Sequence, residues 1–189
     1  MHVVTVHPEV LFTRCEGEPS GRAIVCLNAL GTDLRLWDDL VPYLSDGFRI
    51  LRCDTRGHGL STGVVPRLDL DTLADDVAAI MDRRDTGPAV VVGCELGAAT
   101  ALALAPRRPD LVNGLVLVSA AIRVDRVVDW RARVGRLRTA GVEAIAEQVV
   151  ADWLPADFRR ARPDETRLWR TMFARTPPAG LLAGAALLA

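Results

Sequence analysis

Lysine is missing altogether. The 23 basic residues of this 189-residue chain are all Arg, set against 24 acids, for a formal net charge of −1. An all-Arg composition reads as codon bias in a GC-rich genome, not as a function. A charge so near zero gives no reason to expect nucleic acid or an anionic membrane as a partner. Histidine is scarce, confined to His2, His7 and His58. The four cysteines, Cys15, Cys26, Cys53 and Cys94, stand singly without metal-ligand spacing. They read as reduced cytosolic thiols, and neither a metal nor a cofactor is expected. The N-terminus lacks a basic-then-apolar signal pattern. The apolar tail from Gly180 to Ala189 is ten residues long, against the roughly 20 that span a bilayer. A soluble cytoplasmic protein of one domain, large enough to bury a core, is the expectation.

What is present is organised around Ala89 to Leu104. A β-branched run meets the frame Gly93-Cys94-Glu95-Leu96-Gly97 and turns at once into an alanine-rich helix pattern. This is the layout of a nucleophile elbow, a sharp strand-to-helix turn that exposes its middle residue above a parallel sheet. The two glycines answer the close approach of strand and helix backbones, which leaves no room for a Cβ. Glu95 sits at the tip, where the usual motif has Ser. Centring the frame on Cys94 instead would put Val92 and Leu96 at the small positions, and both are too bulky. Cys94 therefore reads as a small buried hydrophobe.

Short strands are expected at Val3–Val6, Val10–Arg14, Ala23–Leu27, Phe48–Cys53 and Leu115–Val118, with the elbow strand between the last two. Helices are expected around Trp37–Leu44, over Asp69–Met81, and after the elbow, closed by Pro106 and Pro109. Alternating strands and helices imply an α/β fold with a doubly wound, mostly parallel sheet. From Ile122 the pattern turns helical and Arg-rich, with Arg123, Arg126, Arg131, Arg133, Arg136 and Arg138 interleaved with apolar residues. Further helices are expected near Val142–Trp153 and Asp164–Phe173. The expected division is a core of residues 1–121 carrying six strands and a helical cap of residues 122–189.

Three separated segments carry a family resemblance: Asn28-Ala29-Leu30-Gly31-Thr32-Asp33-Leu34-Arg35-Leu36-Trp37, Asp54-Thr55-Arg56-Gly57-His58-Gly59-Leu60-Ser61, and the elbow. Together they resemble the α/β-hydrolase superfamily, and most of all the 3-oxoadipate enol-lactonases. The segment Arg175-Thr176-Pro177-Pro178-Ala179-Gly180 adds to the narrower likeness. The resemblance implies hydrolysis of a small-molecule ester or lactone by a Ser nucleophile, a His base and an orienting acid. It also implies two backbone N–H groups at an oxyanion hole. Carried over by position, those amides are Leu30 and Leu96. Trp130 and Trp153 are candidates for the pocket lining, with ordinary cap packing as the alternative.

Two departures bear on activity. Glu95 replaces Ser, and the acid and His that the resemblance places after the cap have no counterpart before Ala189. His58 reads as a structural residue of its Arg-Gly-His-Gly turn, and His2 and His7 flank the first strand. Related hydrolases use Asp at the elbow as a covalent nucleophile. Glu is one methylene longer, and a carboxylate attacking an ester yields an anhydride. The helix-initial amides are expected to favour an ionised Glu95. The expectation is a hydrolase-lineage protein that is weakly active or inactive. The alternatives are a non-catalytic small-molecule-binding protein, or a subunit or fragment completed by another polypeptide. The strand at Leu115–Val118 would be an exposed sheet edge, open to self-association or a partner chain.

Overall fold

The computed structural model describes residues 2–63, 68–120 and 130–188. Six strands form one sheet: β1 (His2–Val6), β2 (Glu9–Gly17), β3 (Arg22–Leu27), β4 (Phe48–Cys53), β5 (Ala89–Cys94) and β6 (Val112–Val118). Their order across the sheet is β1-β2-β4-β3-β5-β6. β2 pairs antiparallel with β1 and β4, and every other pairing is parallel. The α/β class and the mostly parallel sheet are as the alternating pattern implies.

Strand alternation divides the core between the two faces. Val25, Leu27, Leu51 and Val91 pack with α2 (Leu70–Arg83) and α3 (Leu96–Arg107) through Ala74, Val77, Ala101 and Leu104. Ile24, Cys26, Ile50 and Val92 point the other way. They meet Trp37 of a 3-10 turn (Leu34–Trp37) and Val41 and Leu44 of α1 (Val41–Leu44). Helix α2 starts where Asp69 accepts the Thr72 amide at 2.7 Å, with Asp71 in its first turn and Arg83 in its last. Both ends suit the helix dipole.

The remaining helices are α4 (Trp130–Ala140), α5 (Glu143–Trp153), α6 (Ala156–Ala161), α7 (Pro163–Ala174) and α8 (Pro178–Leu188). Four of them join Leu30 and Leu96 in a second apolar cluster, with Trp130, Ile145, Val149, Phe173, Leu181 and Ala185 buried. Helix α8 comes closest to the loops beneath it. A Cβ on Gly180 would lie 2.1 Å from the Gly57 carbonyl oxygen, and one on Gly184 would lie 2.4 Å from Leu30 Cδ1. The Arg175-to-Gly180 segment thus docks the last helix directly over the loop that carries Leu30. Among the described residues no helix is long and apolar enough to cross a membrane.

Several element limits differ from the sequence reading. The expected helix at Trp37–Leu44 is the 3-10 turn followed by the four-residue α1. Asp33 starts that turn early by accepting the Arg35 amide at 3.0 Å. β2 runs on to Gly17, because Glu16 and Gly17 pair with Ile50 and Arg49. β6 begins at Val112, opposite Ala89. Pro106 lies inside α3 and not after it. The bond it removes would fall on Leu102, a half-exposed residue. The expected boundary between core and cap, with Ile122, Arg123 and Arg126, lies outside the described residues. β6 is an edge of the sheet and leaves Val116, Leu117 and Val118 exposed.

Candidate active site

The elbow is built by steric exclusion. A Cβ on Gly93 would lie 2.4 Å from the Gly97 carbonyl oxygen, and one on Gly97 would lie 2.3 Å from that of Leu27. No side chain fits at either position. Between them Glu95 takes φ 49° and ψ −106°, and its amide donates to the Val118 carbonyl at 3.0 Å. The Gly97 amide donates to the Asn28 carbonyl at 3.0 Å, which ties the elbow to the Asn28–Asp33 loop. A left-handed conformation at a non-glycine residue costs on the order of 1–3 kcal/mol and persists only where the surroundings enforce it.

That loop is equally constrained. Asn28 donates to the Cys53 carbonyl at 2.8 Å and accepts from Trp37 Nε1 at 2.9 Å. Thr176 Oγ1 donates to the Gly31 carbonyl at 3.2 Å. Gly31 has φ 78°, and the Phe173 ring lies where its Cβ would be. The outcome is a fixed Leu30 amide aimed at the elbow. It donates to Glu95 Oε2 at 3.0 Å. Trp130 Nε1 donates to Oε1, the other oxygen, at 3.3 Å.

Of the residues singled out from sequence, Leu30, Glu95, Leu96 and Trp130 therefore meet in one place. Leu30 and Leu96 are fully buried on either side of the elbow. Trp153 belongs to the same apolar cluster but packs edge-on against Phe173, with ring centroids 5.5 Å apart. Cys94 is partly buried at the end of β5, and burial pushes its thiol up to about 11. A thiol so held is a poor nucleophile.

Glu95 does not cap the helix that follows it. Its carboxyl turns instead to Leu30 and Trp130, so the helix-initial amides do not set its ionisation. Burial raises its pKa, against the opposing pull of the Leu30 amide, the Trp130 N–H and the Arg133 charge. The expected ionised, helix-stabilised carboxylate is thus replaced by a group that holds a proton more readily than a free Glu. The residue as a whole keeps some exposure, while the carboxyl end is enclosed.

Behind the site stands a polar frame that sequence reading left unassigned. Asp54 accepts the amides of Leu34 and Leu60, both at 2.8 Å. Burial raises its pKa to about 6. Arg56 makes a two-pronged pair with Asp76, both contacts at 2.6 Å. His58 is fully buried, and its Nδ1 lies 3.2 Å from the Arg56 carbonyl, an arrangement that places the proton on Nδ1. Burial lowers its pKa, so it stays neutral within its own turn. His2 and His7 belong to β1 and the turn after it, at the sheet edge opposite β6. Among the described residues none of the three histidines contacts Glu95. A cleft of about 440 Å³, lined by Phe12, Asp33, Asp54, Leu60, Met172 and Arg175 among others, includes neither Glu95 nor Trp130. The elbow geometry, not that cleft, marks the candidate site. No group of described residues has the makings of a metal site.

Residues 22–187 match the family described as the alpha/beta hydrolase fold. The chain belongs to the α/β-hydrolase family. Within this family it is 29% identical over 148 residues to 3-oxoadipate enol-lactonase 2 of Acinetobacter baylyi, covering 78% of this chain and 55% of that protein. It is 36% identical over 146 residues to lipase LipV of Mycobacterium tuberculosis, covering 74% of this chain and 54% of the relative. The crystal structure of the enol-lactonase from Burkholderia xenovorans LB400 superimposes with a TM-score of 0.90 at 32% identity, over 99% of this chain and 73% of that one. The chain thus spans little more than half the length of these two curated α/β-hydrolases.

Proposed function

We propose that this α/β-hydrolase is enol-lactonase-like in the ligand it accepts and turns esters and lactones over weakly or not at all. The observation that carries the reading is the 3.0 Å hydrogen bond from the Leu30 amide to Glu95 Oε2. In acyl transfer that amide position serves the oxygen of the tetrahedral intermediate. Here the protein's own carboxyl takes it. A carbonyl oxygen entering the site must displace Glu95 before it can be polarised. Turnover also needs a base, and among the described residues no histidine contacts Glu95, His58 being held within its own turn by the Arg56 carbonyl. Both features point to a site that holds an acyl compound better than it cleaves one. What supports the narrower, enol-lactonase-like part is the likeness to two proteins of that name.

The test is hydrolysis of an enol-lactone and a nitrophenyl ester by the whole chain, beside Glu95→Ala and Glu95→Ser. No turnover above the buffer rate is expected for the wild type or Glu95→Ala. Glu95→Ser frees the Leu30 amide and supplies a hydroxyl, but with no histidine in contact with the elbow among the described residues it is expected to reach at most the residual ~10³–10⁴-fold acceleration that an oxyanion hole and binding alone provide. Turnover by the wild type that vanishes in Glu95→Ala would make the carboxylate catalytic and overturn the reading.

A further inference from the structure

The cleft of about 440 Å³ beside the Asn28–Asp33 loop is separate from the elbow, for neither Glu95 nor Trp130 lines it. Its size falls in the range of about 300–1,000 Å³ that small-molecule sites occupy. One side of it is apolar, made by Phe12 of β2, Leu34 of the 3-10 turn, Leu60 and Met172 of α7. Leu60 is 65% exposed, although its backbone is fixed by the 2.8 Å bond from its amide to Asp54. A large apolar side chain fixed in the open on the wall of a cleft is contact surface for the body of a ligand.

Three arginines from three separate elements line the same space: Arg14 of β2, Arg35 of the 3-10 turn and Arg175 at the end of α7. Arg35 forks onto Asp33 through Nε at 2.9 Å and Nη2 at 2.6 Å. That contact orients the guanidinium and leaves Nη1 without an acceptor among the described residues. Arg14 is braced by Glu16 at 3.0 Å. Glu16 in turn accepts from Nε of Arg52 at 2.8 Å, and Arg52 is only 1% exposed. Arg175 is exposed, and among the described residues its guanidinium pairs with no acid. The acids of the cleft, Asp33 and Asp54, are already engaged by Arg35 and by the Leu34 and Leu60 amides. Three positive groups against two negative ones leave the cleft with a surplus of donors and of positive charge.

One guanidinium fork is enough for a carboxylate. A phosphate monoester brings three acceptor oxygens and a charge of about −1.5 to −2, which suits donors supplied by three elements beside an apolar wall. We propose that this cleft binds a small organic phosphate, its head on Arg14, Arg35 and Arg175 and its apolar body on Phe12, Leu34 and Leu60. The site is independent of ester or lactone chemistry at Glu95.

Hexyl phosphate, inorganic phosphate, 1-hexanol and hexanoate separate head from body. Their binding to the whole chain is read by calorimetry at about pH 8, where the phosphate monoester is a dianion. Hexyl phosphate is expected to bind at least about tenfold tighter than each of the other three. Arg175→Gln and Leu60→Ser change exposed residues and are each expected to weaken it by about fivefold or more. Arg138→Gln, exposed on α4 and outside the cleft, and Glu95→Ala are expected to leave it unchanged. Any of the three comparison compounds binding as tightly as hexyl phosphate would overturn the proposal. So would indifference to Arg175→Gln or to Leu60→Ser, or no binding of hexyl phosphate at all. Loss of binding in Glu95→Ala would place the ligand at the elbow and overturn it equally.

Discussion

Replacing Arg56 with Ala is expected to destabilise the protein by about 3–5 kcal/mol, the range for breaking a buried ion pair from one side. Arg56 and Asp76 are 8% and 6% exposed in their side chains, and the two contacts between them are both 2.6 Å. Removing the guanidinium leaves Asp76 on the inner face of α2 with its partner gone. Burial already raises the Asp76 pKa, and Arg56 is the main force opposing that rise. Without Arg56 the carboxyl must take a proton or stay charged in a poorly solvated place. The loss is a large part of the ~5–15 kcal/mol by which such domains are stable. It also reaches the site, because the Arg56–Gly57 turn lies against Gly180 of α8. Urea unfolding reads the effect. The pair Arg56→Met with Asp76→Leu removes both charges and is expected to cost much less than the single change. A loss below about 1 kcal/mol for Arg56→Ala would mean that the pair behaves as a solvated surface bridge.

The contribution of Asp54 to stability is expected to fall as pH rises from about 4 to about 6. Its folded pKa is raised from 3.8 to about 6. Burial is the largest contribution and Asp33 adds to it, while the Leu60 and Leu34 amides and Arg35 oppose it. A carboxyl with a raised folded pKa binds its proton more tightly in the folded than in the unfolded chain. Its penalty is therefore absent below the unfolded pKa, grows through the interval between the two values, and is constant above the folded one. A shift of about two units corresponds to roughly 3 kcal/mol. Glu95 and Asp76, raised by burial, act with the same sign. Asp82 and Asp110 are lowered by Arg108 and act with the opposite sign, but they lie at the surface, where water screens them. Buried His58, whose pKa is lowered, also acts with the opposite sign below 6.5, so the Asp54 part is read as the difference between the wild type and Asp54→Asn. Unfolding midpoints at pH 4 and pH 7 test this in the wild type and Asp54→Asn. Asn offers one acceptor to two amides, so the variant is less stable at both values. Its decline with pH is nonetheless expected to be shallower, and an unchanged slope would exclude Asp54 as the cause.

The elbow was legible in the sequence because its constraint is local. Gly93 and Gly97 exclude a Cβ by contact with backbone a few residues away or on the adjacent strand, and spacing alone reveals that. The strands of the sheet interior were legible as apolar runs for the same reason. Their ends were not, since the length of β2 depends on where β4 lies opposite it. Helix α8 is apolar along its whole length yet buries one stripe, Gly180, Leu181, Gly184 and Ala185, which an all-apolar pattern does not single out. Trp130 was one of two equal candidates for the pocket. The separation from Trp153 comes from tertiary packing, which sends one indole to Glu95 and the other to Phe173. Arg133 was hidden in a run of arginines with the same periodic pattern. Only the fold distinguishes the one that is buried over an indole from those that are solvated. The pairs Arg56–Asp76 and Arg133–Asp152 join residues 20 and 19 positions apart, beyond the reach of any turn or helix rule. The helix dipole alone suggests a lowered Glu95 pKa, whereas the side chain turns to Leu30 and burial shifts it upward.

The contact between Glu95 and Leu30 is most directly tested by following the Leu30 amide by NMR through a pH titration, in the wild type and in Glu95→Ala. In the wild type the amide proton is expected downfield, as for an N–H held by a carboxylate, and to titrate with a midpoint above 4.5, the ordinary Glu value. In Glu95→Ala it is expected to move upfield, lose that titration, and respond to an added ester. A Leu30 amide with the same shift and the same pH profile in both proteins would contradict a site occupied by its own elbow residue.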